Sequence, residues 1–211
     1  HSRETLYRFD RLKSDKTEQA RPLKRMVLSV PGRKDLTEGD RAVHDGVAIA
    51  DAVDLAKDLA NLPGNICTPA YLADQAKGLK RKSRKLKVEI LEEAQMKKLG
   101  MGSLLSVAKG SRQPAKLIVM EYRGGKPKAK PVVLVGKGLT FDAGGLCLKP
   151  GKSMETMKCD MAGGAATIAI AYAAALLKLP VEVHAVVPST DNMLGGNAFR
   201  PGDIYKSLDG K

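Results

Sequence analysis

The sequence has no tryptophan, only three phenylalanines and five tyrosines. Its cations therefore lack the interleaved aromatic rings on which single-stranded nucleic acid stacks. Histidine is almost as scarce: His1, His44 and His184. Neither H-E-x-x-H nor G-x-S-x-G occurs, so a thermolysin-like zinc site and a Ser-His-Asp hydrolase have no support. The three cysteines, Cys67, Cys147 and Cys159, form no CxxC pair and no zinc-finger spacing. Scattered thiols in odd number fit a reducing compartment and exclude a disulfide-stapled miniprotein. No N-x-[ST] acceptor, secretory h-region or A-x-A cleavage site is present. No apolar run approaches the roughly 18 residues of a spanning helix. The longest candidate, 162–177, is rich in Ala and Gly and reads as a buried helix. A cytoplasmic protein without a membrane segment is the expectation.

What is abundant is positive charge. Lys and Arg number 36 against 23 Asp and Glu, a net charge of +13. The excess is concentrated. Residues 80–87 (KRKSRKLK) hold six cations in eight positions, and Arg123, Lys126, Lys128 and Lys130 form a second cluster. Such a field attracts polyanions, nucleic acid among them. Without aromatic neighbours, a solvated surface is the favoured reading of these runs. Hydrophobic residues make up 43% of the 211, enough to build a core in one domain, or in one domain and part of another.

Periodicity organises the chain into an α/β protein. Met26–Val30 reads as a short strand stopped by Pro31-Gly32. Thr37 and Asp40 resemble a capping box before a helix over 40–62, closed by Pro63-Gly64. Thr68-Pro69 caps a helix running to about Leu79. Strands are predicted at 86–90, 104–108, 117–122, 132–135 and 181–187, with a short helix at 92–99 and a long one at 160–179. The strands at 117–122 and 132–135 are nearly all apolar, as strands covered on both faces are. Residues 204–211 look like the start of a hairpin arm. Strands alternating with helices argue a mostly parallel sheet flanked by helices. The long helix over 40–62 reads as a connector between the first 39 residues and the α/β pattern of 63–211.

Chemistry concentrates in VGKGLTFDAGGLCLKPGKSMETMKCDMAGG, residues 135–164. Lys137, Asp142, Lys149 and Asp160 stand there among seven glycines. Ligands of open α/β sheets bind beyond the carboxyl ends of strands, and Lys137 follows one. Two lysines beside two aspartates suit a cation together with an anionic ligand or transition state. Gly151-Lys152-Ser153 is not the end of a P-loop, because Leu146 stands where that motif needs Gly. The residues by themselves leave two readings open: this site, or a Gly-rich loop with solvent lysines.

The same stretch, V-G-K-G-L-T-F-D-A-G-G-L-C-L-K-P followed by K-C-D-M-A-G-G-A-A, resembles the leucine aminopeptidase family, the cytosolic two-metal exopeptidases that include bacterial aminopeptidase A. Asp58–Pro69 (DLANLPGNICTP) and Gly195–Asp203 (GGNAFRPGD) resemble the family's junction after its linker helix and its loop after the next core strand. The resemblance covers about residues 40–211. It implies a phosphorylase/hydrolase-like catalytic domain, incomplete here, preceded by the tail of a smaller α/β domain. It implies that Lys137, Asp142 and Asp160 are metal ligands for two divalent ions, Zn²⁺ or Mn²⁺, with Lys137 a neutral amine favoured by adjacent cations and partial burial. Asp142 would bridge both ions. Lys149 would stabilise the oxyanion of the tetrahedral intermediate, and Met157 would wall the pocket for the substrate's first side chain. Gly163 and Gly164 would let a helix pack beneath the site.

The family's second acidic cluster, N-T-D-A-E-G-R-L, is absent from these residues. That cluster supplies another Asp, a Glu and an Arg that holds bicarbonate. Lys137, Asp142 and Asp160 give too few ligands for two ions. The expectation is a piece of a longer polypeptide, inactive by itself. The whole would release N-terminal amino acids from peptides, with leucine-type preference, as a homohexamer. The alternatives are a nucleic-acid-binding protein using the basic surface, tested by salt dependence, and a metal-binding relic with a structural role.

Overall fold

The computed structural model describes residues 2–14 and 23–208. Its helices are α1 (Ser2–Leu6), α2 (Leu36–Asn61), α3 (Pro69–Leu79), α4 (Glu93–Lys98), α5 (Gly102–Ala108), α6 (Gly151–Met154) and α7 (Ala162–Leu176). Its strands are β1 (Leu86–Leu91), β2 (Lys116–Arg123), β3 (Val132–Val135), β4 (Gly138–Asp142) and β5 (Glu182–Asn192). They form one sheet in the order β1-β2-β5-β3, with β4 also on β5. β5 is long enough to pair with both: β3 against 183–186, β4 against 189–192. Both are parallel to β5, whereas β2 is antiparallel to β5 and to β1. Four strands thus point one way and β2 alone runs against them. The expected mostly parallel α/β sheet holds in strand direction.

Alternation along β2 and β5 separates two cores. Ile118, Met120 and Tyr122 join Val183, Ala185 and Val187 beneath α2, α3 and α7. Leu117, Val119 and Val186 face the other way, onto Met96 and Ala108 of α4 and α5. Burial on both faces, not parallel pairing, explains the apolar run at 117–122. Each fully buried side chain such as Met120 contributes about 1.5–3 kcal/mol from apolar transfer. The stretch Gly151–Leu176 is long and apolar enough on composition for a membrane span. In the fold, the α7 part of it lies between α2 and the sheet.

Local signals held where the chain itself supplies the partner. Thr68 Oγ1 accepts from the Tyr71 amide at 3.2 Å, capping α3. Glu92 and Gln95 form a capping box before α4, and Gly100, at φ 72°, turns the chain after it.

Several expectations are corrected. Residues 26–30 form no strand: Met26, Val27 and Leu28 are exposed and no strand lies beside them among the described residues. α2 begins four residues early, at Leu36, and its Asp35 cap makes no side-chain hydrogen bond. Residues 104–108 belong to helix α5, because Leu104 and Leu105 pack side by side against the Met96 cluster. β3 is not covered on both faces; Val132, Val133 and Val135 are exposed at the sheet's edge. Residues 138–142, within the glycine-rich stretch, form strand β4 because they pair with 189–192 of β5. No strand forms over 204–208, and 209–211 lie outside the described residues.

Candidate active site

The carboxyl ends of β4 and β5 meet at Asp142 and Asn192, which are registered opposite each other. A register shift between Leu139 and Phe141 sets this pairing. The displaced Thr140 turns its hydroxyl onto the Thr190 carbonyl at 3.2 Å and onto Asp191. Phe141 then points into a small core with Ala143, Met193, Met154 and Met157. Asp142, on the opposite side of the strand, faces the loop 143–150.

Asp142 is 8% exposed. Its Oδ1 accepts from the Gly144 amide at 2.9 Å and from Asn192 Nδ2 at 2.8 Å. Its Oδ2 lies 3.0 Å from Lys149 Nζ. Burial pushes this carboxyl up. Hydrogen bonds from Lys149, Gly144 and Asn192 outweigh it and hold the group below the ordinary aspartate value. Gly144, at φ 90°, is needed here: a Cβ would stand 2.4 Å from the Cys147 carbonyl.

Lys137 occupies the break between β3 and β4. Its carbonyl accepts from the Gly164 amide at 2.7 Å, at the start of α7. Its Nζ lies 3.0 Å from Asp160 Oδ2. The expected partial burial of Lys137 is not seen: its side chain is 60% exposed. Asp160 Oδ2, by contrast, is buried and receives no hydrogen bond of acceptable direction, despite that close cation. Of the two helix glycines, Gly164 makes the close approach, since a Cβ there would meet Val187 at 2.7 Å. Gly163 has ordinary spacing. Met157 sits in the 3₁₀ turn Met157–Cys159, half-buried in the cluster under Asp142.

The site residues thus form two lysine–aspartate pairs, Lys149–Asp142 at the carboxyl end of β4 and Lys137–Asp160 at the break before it, with Met157 in the apolar cluster around Phe141. Sequence reasoning missed Asn192, which donates directly to Asp142, and the buried network behind it. Arg200 Nη1 donates to Asp191 Oδ2 at 3.1 Å, and Ser111 Oγ donates to the same oxygen at 3.1 Å. Arg200 Nε stands 3.6 Å from Asp203 Oδ2, close enough for charge pairing and too far for a hydrogen bond. Asp203 also accepts from the Asn65 amide. Burial, with Asp191 nearby, pushes the Cys67 thiol up to about 12, so that thiol is inert. The available signal was polar residues inside two of the quoted motifs, at Asn65, Arg200 and Asp203.

Donor chemistry tests the fit to a metal. Asp160 Oδ2 is a buried acceptor without an aligned donor, as one edge of a cation site requires. Among the described residues, however, no three His, Cys, Asp or Glu side chains converge to hold an ion. The residues present fit part of such a site.

A family model for the catalytic domain of the cytosol aminopeptidases matches residues 54–211. The chain belongs to the cytosol aminopeptidase family. A probable cytosol aminopeptidase of Thioalkalivibrio sulfidiphilus is 56% identical over 210 residues, covering 100% of this chain and 42% of that protein. One from Nitrosococcus oceani is 51% identical, covering 99% of this chain and 42% of its own length. The chain therefore spans about two fifths of these cytosol aminopeptidases. Among solved structures, the bottromycin maturation enzyme BotP superposes with a TM-score of 0.77 at 37% identity, over 99% of this chain and 42% of BotP. BotP in complex with Mn superposes equally well, at 0.78. The cytosol aminopeptidase of Coxiella burnetii gives 0.66 at 32% identity, over 82% of this chain and 36% of its own.

Proposed function

We propose that these residues supply one wall of the active site of a metal-dependent aminopeptidase, which releases N-terminal amino acids from peptides with leucine-type preference. The observation that carries the reading is that two lysine–aspartate pairs, Lys137–Asp160 and Lys149–Asp142, stand at the two ends of β4 with both carboxylates largely buried. Lys137, Asp142 and Asp160 would hold two divalent ions, Zn²⁺ or Mn²⁺, Lys137 ligating as the neutral amine. The complex of BotP with Mn supports the second metal. When bound, such ions supply Lewis-acid polarisation of a peptide carbonyl. The Lys149 ammonium, held by Asp142 at 3.0 Å, would stabilise negative charge developing on that oxygen. Met157 would contact the first side chain of the substrate.

Two carboxylates and a lysine are too few donors for two ions, so the remaining ligands, and any bicarbonate, must come from elsewhere in the working enzyme. These 211 residues by themselves should turn over no peptide. A homohexamer in the cytoplasm, and the division into 1–39, 40–62 and 63–211, complete the reading; the relatives' name supports the compartment. The test is a peptidase assay with Mn²⁺ or Zn²⁺ on the polypeptide that carries these residues. Turnover lost to a chelator is expected, with Lys149→Ala lowering kcat about 10²–10³-fold. No turnover with either metal would overturn the reading. Turnover by the 211 residues in isolation, abolished by Lys149→Ala, would overturn the partial-site claim.

A second reading has one specific observation in its favour. Pairing of Leu86 with Tyr122 brings the basic run 80–87 beside Arg123, at the sheet end opposite the site. The Arg123 amide donates to the Lys85 carbonyl at 3.0 Å. Two clusters distant in sequence thus become one basic face, suited to nucleic acid. Affinity for duplex DNA falling steeply with salt would support it. Absence of binding would leave that face as solvated charge.

A further inference from the structure

A cleft of about 540 Å³ opens between the end of α5 and the loop after β5, lined by Lys109, Arg112, Gly145, Asn192, Leu194 and Gly196 among others. Its size falls within the roughly 300–1,000 Å³ of small-ligand sites. It adjoins the candidate active site, because Asn192 donates to Asp142 and Gly145 belongs to the loop that carries Lys149. Its walls are tied together. The Gly195 amide donates to the Gly110 carbonyl at 3.2 Å, and a Cβ on Gly110 would stand 1.8 Å from the Met193 carbonyl. The cleft is therefore preformed.

Its charge is one-sided. Arg112 lies with its stem on Gly196, where a Cβ would meet Arg112 Cγ at 2.2 Å. Among the described residues neither Arg112 nor Lys109 has a carboxylate within ion-pair distance. This contrasts with Lys137 and Lys149 a short way along, each of which faces an aspartate. Leu146 and Leu194 add exposed apolar surface to the same lining.

We propose that this cleft is a subsite for the downstream part of a bound peptide, in which Lys109 and Arg112 recognise a carboxylate beyond the bond that is cut. The proposal rests on the reading above, which puts that bond beside Asp142 and Lys149. The carboxylate has two sources, the C-terminus of a short peptide or an acidic side chain. Either would form charge-assisted hydrogen bonds with the two cations. The mixed lining, with Leu146 and Leu194 beside Lys109 and Arg112, suits a short peptide rather than a compact anion.

The test compares kcat/KM for four substrates in the metal-loaded polypeptide carrying these residues. Leu-Gly-Gly is used as free acid and as amide; Leu-Gly-Glu amide is set against Leu-Gly-Gln amide. The parent should prefer one or both carboxylate-bearing members by about three- to tenfold. The pair that shows the preference identifies the source. The preference should reside in KM, weaken with added salt, and collapse toward unity in Lys109→Ala/Arg112→Ala. Arg112→Lys should restore part of it. A merely structural role would lower all four rates together and leave the ratios intact. No preference in the parent, or a preference that survives the double variant, overturns the proposal. Should the double variant not fold, the salt dependence in the parent decides. Should the parent cleave nothing, the catalytic reading fails by itself. Acetyl-Leu-Gly-Gly, as acid and amide, then reads the cleft by NMR titration: tighter binding of the acid supports the proposal, and equal or absent binding overturns it.

Discussion

The two ends of the sheet use the same kinds of residue to opposite effect. At the carboxyl end of β4, Asp142 is buried against Lys149, and at the break before β4 the largely buried Asp160 meets the exposed Lys137. At the other end, Lys80, Arg81, Lys82 and Arg84 stand in solvent without buried partners. Each end has one carboxylate held below its ordinary value. For Asp142, burial pushes up and three donors pull down harder. For Glu121, the hydrogen bond from Arg123 is the leading cause, and burial opposes it. Charge by itself therefore does not mark a reactive centre. What separates the ends is desolvation, which makes each missing partner costly at one and nearly free at the other.

Removing a buried partner should have the largest effect. Arg200→Ala leaves Asp191 as a buried carboxylate with hydroxyl donors only, and should lower unfolding free energy by about 3–5 kcal/mol in urea melts. A loss below about 1 kcal/mol would mean that the two ends differ less than burial implies. Next comes Asn192→Ala, which frees one side of the Asp142 carboxylate. Metal affinity, read by calorimetry, should fall about 10–100-fold with a small change in melting temperature. Unaltered affinity would remove Asn192 from the site's support.

At the basic end the effects should shrink. Glu121 has a lowered folded pKa, so its contribution is full above the unfolded value, near 4.3. It is lost as pH falls through the lower folded value. Glu121→Gln should therefore cost at most about 1 kcal/mol at pH 7 and nothing at about pH 2, as urea midpoints across that range would show. A cost independent of pH would assign it to packing. Smallest of all, Lys80→Ser with Lys82→Ser should shift stability by less than about 0.5 kcal/mol. A larger shift would show that the run carries structure.

Much of the fold was legible because its signals are local. The Thr68-Pro69 cap needs only neighbours in sequence and caps α3 as expected; the Glu92–Gln95 box, equally local, opens the short helix expected at 92–99. The misreadings share a cause. Leu104–Ala108 is too short for periodicity to separate strand from helix, and contact with Met96 decided for helix. Residues 26–30 have strand composition but no strand to pair with among the described residues, and composition cannot supply one. β4 hid among glycines, because its pairing with β5 tolerates a bulge at Thr140 that no sequence period shows.

For the candidate site, the sequence by itself determined the residue types and their order: Lys137, Asp142, Lys149 and Asp160 in a glycine-rich stretch, inside motifs that resemble one family. Only the tertiary structure decided who faces whom. Asn192 reaches Asp142 because parallel pairing of β4 with β5 brings segments about fifty residues apart into register, and Arg200 reaches Asp191 because the loop after β5 folds back on the strand end. Backbone hydrogen bonds across a sheet carry no imprint in composition. Burial, which sets the strength of every charge pair, is a property of the packed chain and not of any residue in it.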